Sequence, residues 1–108
     1  MERLNGVAAE HGLEVIEDSA HAWGSQREGR GAGTLSRCGT FSFQVSKNLT
    51  AGEGGILVTD DEELADLCRS YTHCGRRKNS AWYDHDYLGS NLRLTEFQAA
   101  VLLAQLAR

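Results

Sequence analysis

One lysine stands in the stretch of the chain whose residue types are best suited to covalent chemistry. Lys47 follows the aromatic run Phe41-Ser42-Phe43 and precedes residues 52–55, in which three of the four positions are glycine. A lysine amine can form a Schiff base with a carbonyl group, and glycines let the backbone approach a bound group closely. The spacing therefore predicts a lysine that holds a carbonyl compound, although most lysines are solvated surface residues.

Three more groups suited to the same chemistry lie before Lys47. Asp18 closes a predicted strand, His21 follows it three residues later, and Ser42 lies five residues before the lysine. A carboxylate can keep a pyridine nitrogen protonated, while a nearby lysine can hold an aldehyde cofactor. Lysine together with aspartate is the protein's contribution to pyridoxal phosphate chemistry, so the sequence predicts a cofactor site of this kind.

Each of these residues also has an ordinary structural interpretation. Asp18 can cap a loop, and His21 can be a loop histidine with satisfied hydrogen bonds. Ser42 can face outward from a strand, and Asn91, further along the chain, can form a turn beside Gly89. These alternatives stay open as long as each residue is considered alone.

The elements that must position the candidate side chains follow an α/β pattern. The chain opens with a helix of apolar residues at helical spacing, and Gly12 fits its end. Strands are predicted over residues 13–16, 41–43 and 56–59, with a long loop of small residues over 20–39. Because no amphipathic helix separates the last two strands, we predict that they are antiparallel and that the sheet is mixed.

Two further helices are predicted in the second half of the chain. Thr59 to Glu62 is typical of a capping box, and Gly75 ends the helix that it opens. Thr95 to Gln98 is a second capping box. The buried positions are predicted to be Leu64, Leu67, Cys68 and Tyr71 in the first helix, and Phe97, Val101, Ala104 and one of Leu103 and Leu106 in the second.

The composition limits the class of protein. A chain of 108 residues is large enough for one domain, and a net charge of -4 with interleaved acids and bases argues against nucleic acid or an anionic membrane as partner. No apolar stretch approaches the ~20 residues that span a bilayer, and no signal-peptide pattern opens the chain. A cytoplasmic location is the default prediction.

Cys38, Cys68 and Cys74 lack a metal-ligand spacing, so we predict reduced structural cysteines and no metal site.

Three separated motifs closely resemble the DegT/DnrJ/EryC1/StrS family. The motifs are residues 17–22 (Glu-Asp-Ser-Ala-His-Ala), residues 41–55 and residues 88–100. Members of this family are pyridoxal-phosphate-dependent sugar aminotransferases of the aspartate aminotransferase fold, fold type I. The resemblance implies an α/β protein that forms part of a three-layer α/β/α large domain with a mixed, mostly parallel sheet.

The resemblance also implies a role for five residues. Lys47 matches the lysine that forms the internal aldimine with pyridoxal 5′-phosphate, and Asp18 matches the acid at the pyridine nitrogen. His21 matches the residue beside the O3′ atom, and Ser42 matches the serine that donates to the cofactor phosphate. Asn91 matches an asparagine that reaches the phosphate from the neighbouring subunit, which implies a homodimer with shared sites.

The function implied by the resemblance is transfer of an amino group from an amino acid, glutamate or glutamine, to a nucleotide-linked keto-sugar. Lys47 would anchor the cofactor and then carry protons. Arg93 lies in the motif of Asn91, and the resemblance gives it no role. Because family members are several times longer, residues 1–108 are expected to be the central part of the large domain, without its N-terminal segment and the small C-terminal domain.

Two other functions fit parts of the sequence. The dehydratase branch of the family carries histidine at the position of Lys47, so the lysine counts against it. The alternative from another class is a truncated, catalytically silent domain that keeps a cofactor-binding or subunit-contact surface. For the 108 residues alone we expect weak cofactor binding and no turnover. We also expect Asp18, Ser42 and Lys47 to converge at one side of the sheet, with Asn91 away from Lys47 in its own chain.

Overall fold

A computed structural model of the chain describes residues 1–108. The helices are α1 (Glu2–Glu10), α2 (Glu62–Thr72) and α3 (Glu96–Leu106), and the strands are β1 (Ile16–Asp18), β2 (Gln26–Arg27), β3 (Arg30–Gly31), β4 (Cys38–Ser42) and β5 (Gly55–Val58). Two compact units are formed, one by residues 1–60 with 95–108 and one by residues 61–94. None of the helices has the length and apolar character needed to cross a membrane.

The central strand of the first unit is β4. It pairs in parallel with β1 and antiparallel with β5, which gives the strand order β1-β4-β5. The mixed sheet expected from the sequence is therefore confirmed. The antiparallel pairing of β4 with β5 is confirmed as well, and it follows from a connection that contains no crossover helix.

The first strand begins later than the sequence predicts. Residues 13–16 were expected to form it, whereas β1 runs over Ile16–Asp18. Leu13 is still part of the helix end, because its backbone N–H donates to the carbonyl of Ala8 at 2.9 Å. Gly12 makes this return possible with a φ of +63°, so its predicted place at the end of α1 is confirmed.

The loop predicted over residues 20–39 contains a small hairpin. β2 and β3 pair antiparallel, with Gln26 opposite Gly31. The two residues between them, Glu28 and Gly29, have φ values of +52° and +78°. A two-residue hairpin turn of type I′ requires a positive φ at both of its residues. An unbroken loop was therefore the wrong prediction, and the Glu-Gly pair between two arginine-bearing dipeptides was the available signal.

Helix α2 is capped by a different residue from the one predicted. The side chain of Asp61, not Thr59, accepts a hydrogen bond from the backbone N–H of Leu64 at 2.9 Å. Thr59 instead donates its hydroxyl to the carbonyl of Arg37 at 2.8 Å. The turn after α2 at Gly75, with a φ of +80°, agrees with the prediction. The buried residue of α2 is Ser70, whereas Leu67 and Tyr71 of the predicted stripe are exposed.

Helix α3 begins as predicted but buries another face. Its capping box between Thr95 and Gln98 is present in both directions. Leu102 is the buried residue, and Phe97 is 87% exposed. The side that faces the protein carries Gln98 and Gln105 on either side of Leu102, at helical spacing. The predicted apolar face is exposed throughout, at Phe97, Val101, Leu103, Ala104 and Leu106.

Gly39 of β4 lies where no side chain fits. A Cβ atom at this position would come within 2.5 Å of the Gly33 carbonyl oxygen. We expect Gly39→Ala to lower the free energy of unfolding by about 1–3 kcal/mol, because β4 or the chain at Gly33 must shift. Urea denaturation followed by circular dichroism measures this change.

Gly6→Ala is the matched control. Gly6 lies in α1, and a Cβ atom there would meet nothing within 4 Å. Alanine is the better helix former, so this substitution should raise the free energy of unfolding by about 0.5–1 kcal/mol. Equal destabilisation by both substitutions would contradict the close approach at Gly39.

Candidate functional site

The carboxyl ends of β1 and β4 meet at one edge of the sheet. Asp18 is the last residue of β1 and lies opposite Thr40, while Ser42 is the last residue of β4. Alternate residues of a strand face the same side, and paired residues of neighbouring strands share a side. The structure therefore places the Asp18 carboxylate and the Ser42 hydroxyl on one side of the sheet, at the edge where ligands of α/β proteins bind.

Lys47 and His21 meet across the loops that leave these two strands. The Nζ atom of Lys47 lies 2.8 Å from the Nε2 atom of His21. His21 follows Asp18 by three residues and Lys47 follows Ser42 by five. Because β1 and β4 are parallel neighbours, both loops start at the same edge. The partner of the amine is an imidazole, so no carboxylate holds Lys47 in an ion pair.

Main-chain hydrogen bonds fix the loop that carries Lys47. Phe43 donates its N–H to the carbonyl of Gly54 at 2.8 Å, and its own carbonyl accepts from the Thr50 hydroxyl at 2.9 Å. Lys47 donates its N–H to the carbonyl of Gln44 at 2.9 Å, which closes a tight turn. The position of the lysine is thus set by backbone geometry on both sides.

Two glutamines of α3 hold the same loop. Gln105 donates from Nε2 to the carbonyl of Thr50 at 2.6 Å, and its Oε1 accepts from the Thr50 N–H at 3.2 Å. Gln98 donates from Nε2 to the carbonyl of Glu53 at 2.8 Å. The sequence placed Gln98 only in the capping box and gave Gln105 no role, because polar residues on a helix normally face solvent. The available signal was their spacing of seven residues, or two helical turns, around Leu102.

Trp23 is a further residue whose role was not predicted from the sequence. Its ring stacks on Phe41 and Phe43 with centroid distances of 4.4 and 5.6 Å. Its carbonyl accepts a hydrogen bond from the side chain of Asn48 at 3.4 Å. Trp23 therefore joins the loop of His21 to β4 and to the residue after Lys47. The signal was a large aromatic two residues after His21.

Glu17 organises the loop that packs on β4. Its carboxylate accepts from the N–H groups of Gly33 and Leu35 at 2.9 and 2.6 Å, and from the Ser36 hydroxyl at 3.0 Å. Burial raises the pKa of Glu17, but these hydrogen bonds lower it by more, so the pKa of this carboxyl lies below its usual value. Glu17 is therefore a structural anion beside Asp18.

Asn91 lies in the other unit, residues 61–94, and is described there by itself. It forms an isolated antiparallel bridge with His73, and its Oδ1 atom accepts a hydrogen bond from Arg93 Nε at 2.8 Å. The amide nitrogen of Asn91 keeps both of its donors for another acceptor. The role of Asn91 at a neighbouring subunit's site stays a prediction.

The side chains at the sheet edge fit the chemical parts of pyridoxal phosphate. An amine matches the aldehyde, a carboxylate matches the pyridine nitrogen, and a hydroxyl matches the phosphate. Asp18 and His21 are exposed, and Lys47 and Ser42 are partly exposed, so a bound molecule can reach all four. The Asp18 carboxylate accepts only the short-range N–H of Ala20 at 3.1 Å, which leaves its other oxygen available.

Comparison with known proteins identifies the family. The profile of the DegT/DnrJ/EryC1/StrS aminotransferase family matches residues 1–108. The chain belongs to this family. The resemblance carried by the three sequence motifs is therefore confirmed, and so is the fold class that it implies, because solved members have the same fold.

Relatives of this family member are much longer than the chain itself. The 3-amino-5-hydroxybenzoate synthase of Amycolatopsis mediterranei is 43% identical over 110 residues, which cover 100% of the chain and 28% of the relative. The UDP-N-acetyl-3-dehydro-alpha-D-glucosamine 3-aminotransferase of Acidithiobacillus ferrooxidans is 46% identical over 108 residues, 97% of the chain and 28% of the relative. A crystal structure of a DegT DnrJ EryC1 StrS aminotransferase from Brucella abortus superimposes with a TM-score of 0.91 at 40% identity, covering 98% of the chain and 28% of that structure.

The lowered pKa of Glu17 gives a test of how the site is supported. Glu17→Gln should lower the free energy of unfolding at pH 7 by about 1–3 kcal/mol. Glutamine is neutral and has one oxygen in place of two, so it cannot accept the three hydrogen bonds as the carboxylate does. A carboxyl whose pKa is lowered by folding stabilises the folded state at pH values above its unfolded pKa of about 4.3. The difference in unfolding free energy between the wild type and Glu17→Gln should therefore disappear as the pH falls through the lower pKa of the folded state.

Urea denaturation from pH 7 down to about pH 2.5 measures the difference between the two proteins. Glu14→Gln, at an exposed glutamate three residues earlier, is the control for loss of one negative charge. A constant difference between wild type and Glu17→Gln across this range would contradict the proposed electrostatic role.

Proposed function

We propose that this chain is the central part of the large domain of a pyridoxal-phosphate-dependent aminotransferase. The enzyme would move an amino group from an amino acid, glutamate or glutamine, to a nucleotide-linked keto-sugar. The observation that carries the proposal is the 2.8 Å contact of Lys47 with His21 at the sheet edge where Asp18 and Ser42 end their strands. The name of the 46% identical relative, an aminotransferase of a UDP-linked dehydro-sugar, supports the substrate class.

Each of the four side chains has a separate task in this proposal. Lys47 would hold the cofactor through its amine, and Asp18 would keep a proton on the pyridine nitrogen. Ser42 would donate its hydroxyl to the phosphate, and His21 would lie on the side of the ring that carries the ring oxygen. When bound, pyridoxal phosphate supplies an electron sink and a carrier for the amino group.

Lys47 has a second task once its amine is released. Its Nζ atom would take the proton from the carbon of the amino-acid donor that loses nitrogen and pass it to the cofactor. In the second half of the reaction it would move a proton from the cofactor to the sugar carbon that gains nitrogen. His21, at 2.8 Å, orients the amine between these two positions without pairing it to a fixed negative charge.

Asn91 completes the proposal through a second subunit. We propose a homodimer in which the free amide donors of Asn91 reach the cofactor phosphate at the partner's Lys47. Arg93 Nε occupies the Asn91 oxygen at 2.8 Å, so the amide nitrogen is the group that stays available. Hydrogen bonds of this kind to a charged phosphate are among the stronger ones in proteins.

A domain that binds without turnover is the second candidate. The chain spans only 28% of its relatives, so residues outside these 108 would complete the site in an active enzyme. We propose that the 108 residues alone bind the cofactor weakly and turn over no substrate. Sequencing the reading frame on both sides distinguishes a longer enzyme from a domain that acts by itself.

Covalent labelling tests the role of Lys47. The full-length protein, mixed with pyridoxal phosphate and reduced with borohydride, should carry the label at Lys47, and digestion with mass spectrometry maps it. Within these 108 residues the only other lysine is Lys78, so a label in this part of the full-length protein lies at one of two sites. Lys47→Ala should lose the label, the visible absorbance of the bound cofactor and transamination.

Lys47→Arg is the matched variant, because it keeps the positive charge but cannot form the covalent link. It should lose the label as completely as Lys47→Ala does. Label at Lys78 would overturn the mechanism, and full turnover by the 108 residues alone would overturn the proposal that they are part of a larger site.

Complementation tests the shared site. Lys47→Ala and Asn91→Asp should each be inactive, the second because a carboxylate repels the cofactor phosphate. When the two variants are mixed and allowed to exchange subunits, half of the dimers are mixed and each has one intact site. We expect about one quarter of wild-type activity in the mixture, as two-fold symmetry requires. No recovery, with subunit exchange verified by mass spectrometry, would place Asn91 outside the partner's site.

A further inference from the structure

The unit formed by residues 61–94 contains a strongly basic pocket of about 670 Å³. Its lining includes five of the chain's eleven lysine and arginine residues and one carboxylate, that of Asp66. The whole chain has a net charge of -4. Positive charge is therefore concentrated at this pocket, although the chain as a whole is negatively charged. The five basic residues are Arg69, Arg76, Arg77, Lys78 and Arg93.

Only part of this charge is neutralised by neighbouring carboxylates. Arg69 pairs with Asp66 at 2.9 Å, and Arg77 lies 3.7 Å from an oxygen of Asp86. Arg76 lies over the ring of Trp82 at 4.6 Å, a contact that leaves its charge in place. Lys78 and Arg93 make no ion pair, and Arg93 donates a hydrogen bond to the neutral amide of Asn91.

Three polar atoms on the lining residues are buried without a hydrogen-bond partner. They are the hydroxyl of Ser70, Nδ1 of His73 and Nε of Arg76. Ser70 is only 2% exposed, which makes it the most buried side chain of α2. All three groups can donate a hydrogen bond. Folded proteins rarely leave such donors unpaired, so their concentration at one pocket points to an acceptor that occupies it.

We propose that this pocket binds a phosphoryl group. A phosphoryl group offers several acceptor oxygens and up to two negative charges, which matches clustered donors and guanidinium groups better than a carboxylate does. The volume is within the range of small-molecule sites. Two sources share this chemistry, namely the phosphates of a nucleotide-linked sugar and free phosphate. The inference does not rest on the Lys47 site, which lies in the other unit.

Calorimetric titration of the full-length protein tests the site. The protein is saturated with pyridoxal phosphate, so that phosphate cannot fill the cofactor's own phosphate position, and is titrated at low salt with inorganic phosphate, UDP-glucose or acetate as a simple carboxylate. Phosphate and UDP-glucose should both bind, and more weakly as salt rises. Tighter binding of UDP-glucose assigns the site to nucleotide phosphates, and equal binding assigns it to phosphate itself. Tighter binding of acetate than of either would overturn the proposal.

Three substitutions and a control locate the binding. Lys78→Gln and Arg93→Gln should each weaken phosphate several-fold, and Ser70→Ala should weaken it about tenfold or more, because a hydrogen bond to a charged group is lost. Arg27→Gln removes the same charge from an arginine of the first unit whose side chain is 69% exposed, and it should leave the affinity unchanged. An equal loss from Arg27→Gln and Lys78→Gln would show diffuse attraction and overturn the site.

The melting temperature of Ser70→Ala distinguishes a role in phosphate binding from a role in the fold. Removing a buried hydroxyl that has no partner should leave the melting temperature of the phosphate-free protein unchanged or raise it. A lowered melting temperature with unchanged phosphate affinity would mean that the hydroxyl serves the fold, and it would overturn the assignment. Phosphate binding is measured by calorimetry and the proposed transamination by turnover of the same wild-type protein, so failure of the proposed transamination and failure of this site are observed separately.

Discussion

Parallel pairing of β1 with β4 is the constraint on which the candidate site depends. It sets Asp18 opposite Thr40, and the pairing continues past the strand end, where Ser19 donates its N–H to the Thr40 carbonyl at 2.9 Å. A shift of one residue would turn the Asp18 side chain to the other face of the sheet. The two loops that bring His21 and Lys47 together start from the ends of these strands, so their meeting depends on the same register.

Strand alternation explains how two adjacent acids acquire different tasks. Glu17 and Asp18 point to opposite faces of β1. On one face, Glu17 receives three hydrogen bonds from the chain between Gly33 and Ser36 and is held as an anion. On the other face, Asp18 is exposed and accepts only from Ala20. The Glu17 carboxylate therefore stabilises the fold, and the Asp18 carboxylate stays available for a ligand. Two adjacent acids in the sequence do not by themselves reveal this difference.

Local signals made much of the fold predictable, and long-range contacts limited the rest. The capping box at Thr95 and the glycine at the end of α1 depend on residues a few positions apart, and both predictions were right. The start of β1 depends on Leu13 closing the helix instead of joining the strand. Among the site residues, the sequence pattern led to Lys47 and His21, whose contact spans 26 residues. The place of Trp23 two residues after His21 did not reveal that its ring stacks on Phe41.

Helix α3 shows most clearly why a motif does not reveal what its residues do. The segment that contains Asn91 also contains Gln98, whose side chain caps the helix at Thr95 and binds the carbonyl of Glu53, 45 residues earlier. Together with Gln105 on Thr50, it replaces the apolar contacts expected of a buried helix face by hydrogen bonds to main-chain atoms. Hydrogen bonds fix distance and direction, whereas apolar packing fixes mainly volume. A loop that must hold a lysine amine in one position therefore gains more from two glutamines than from two leucines.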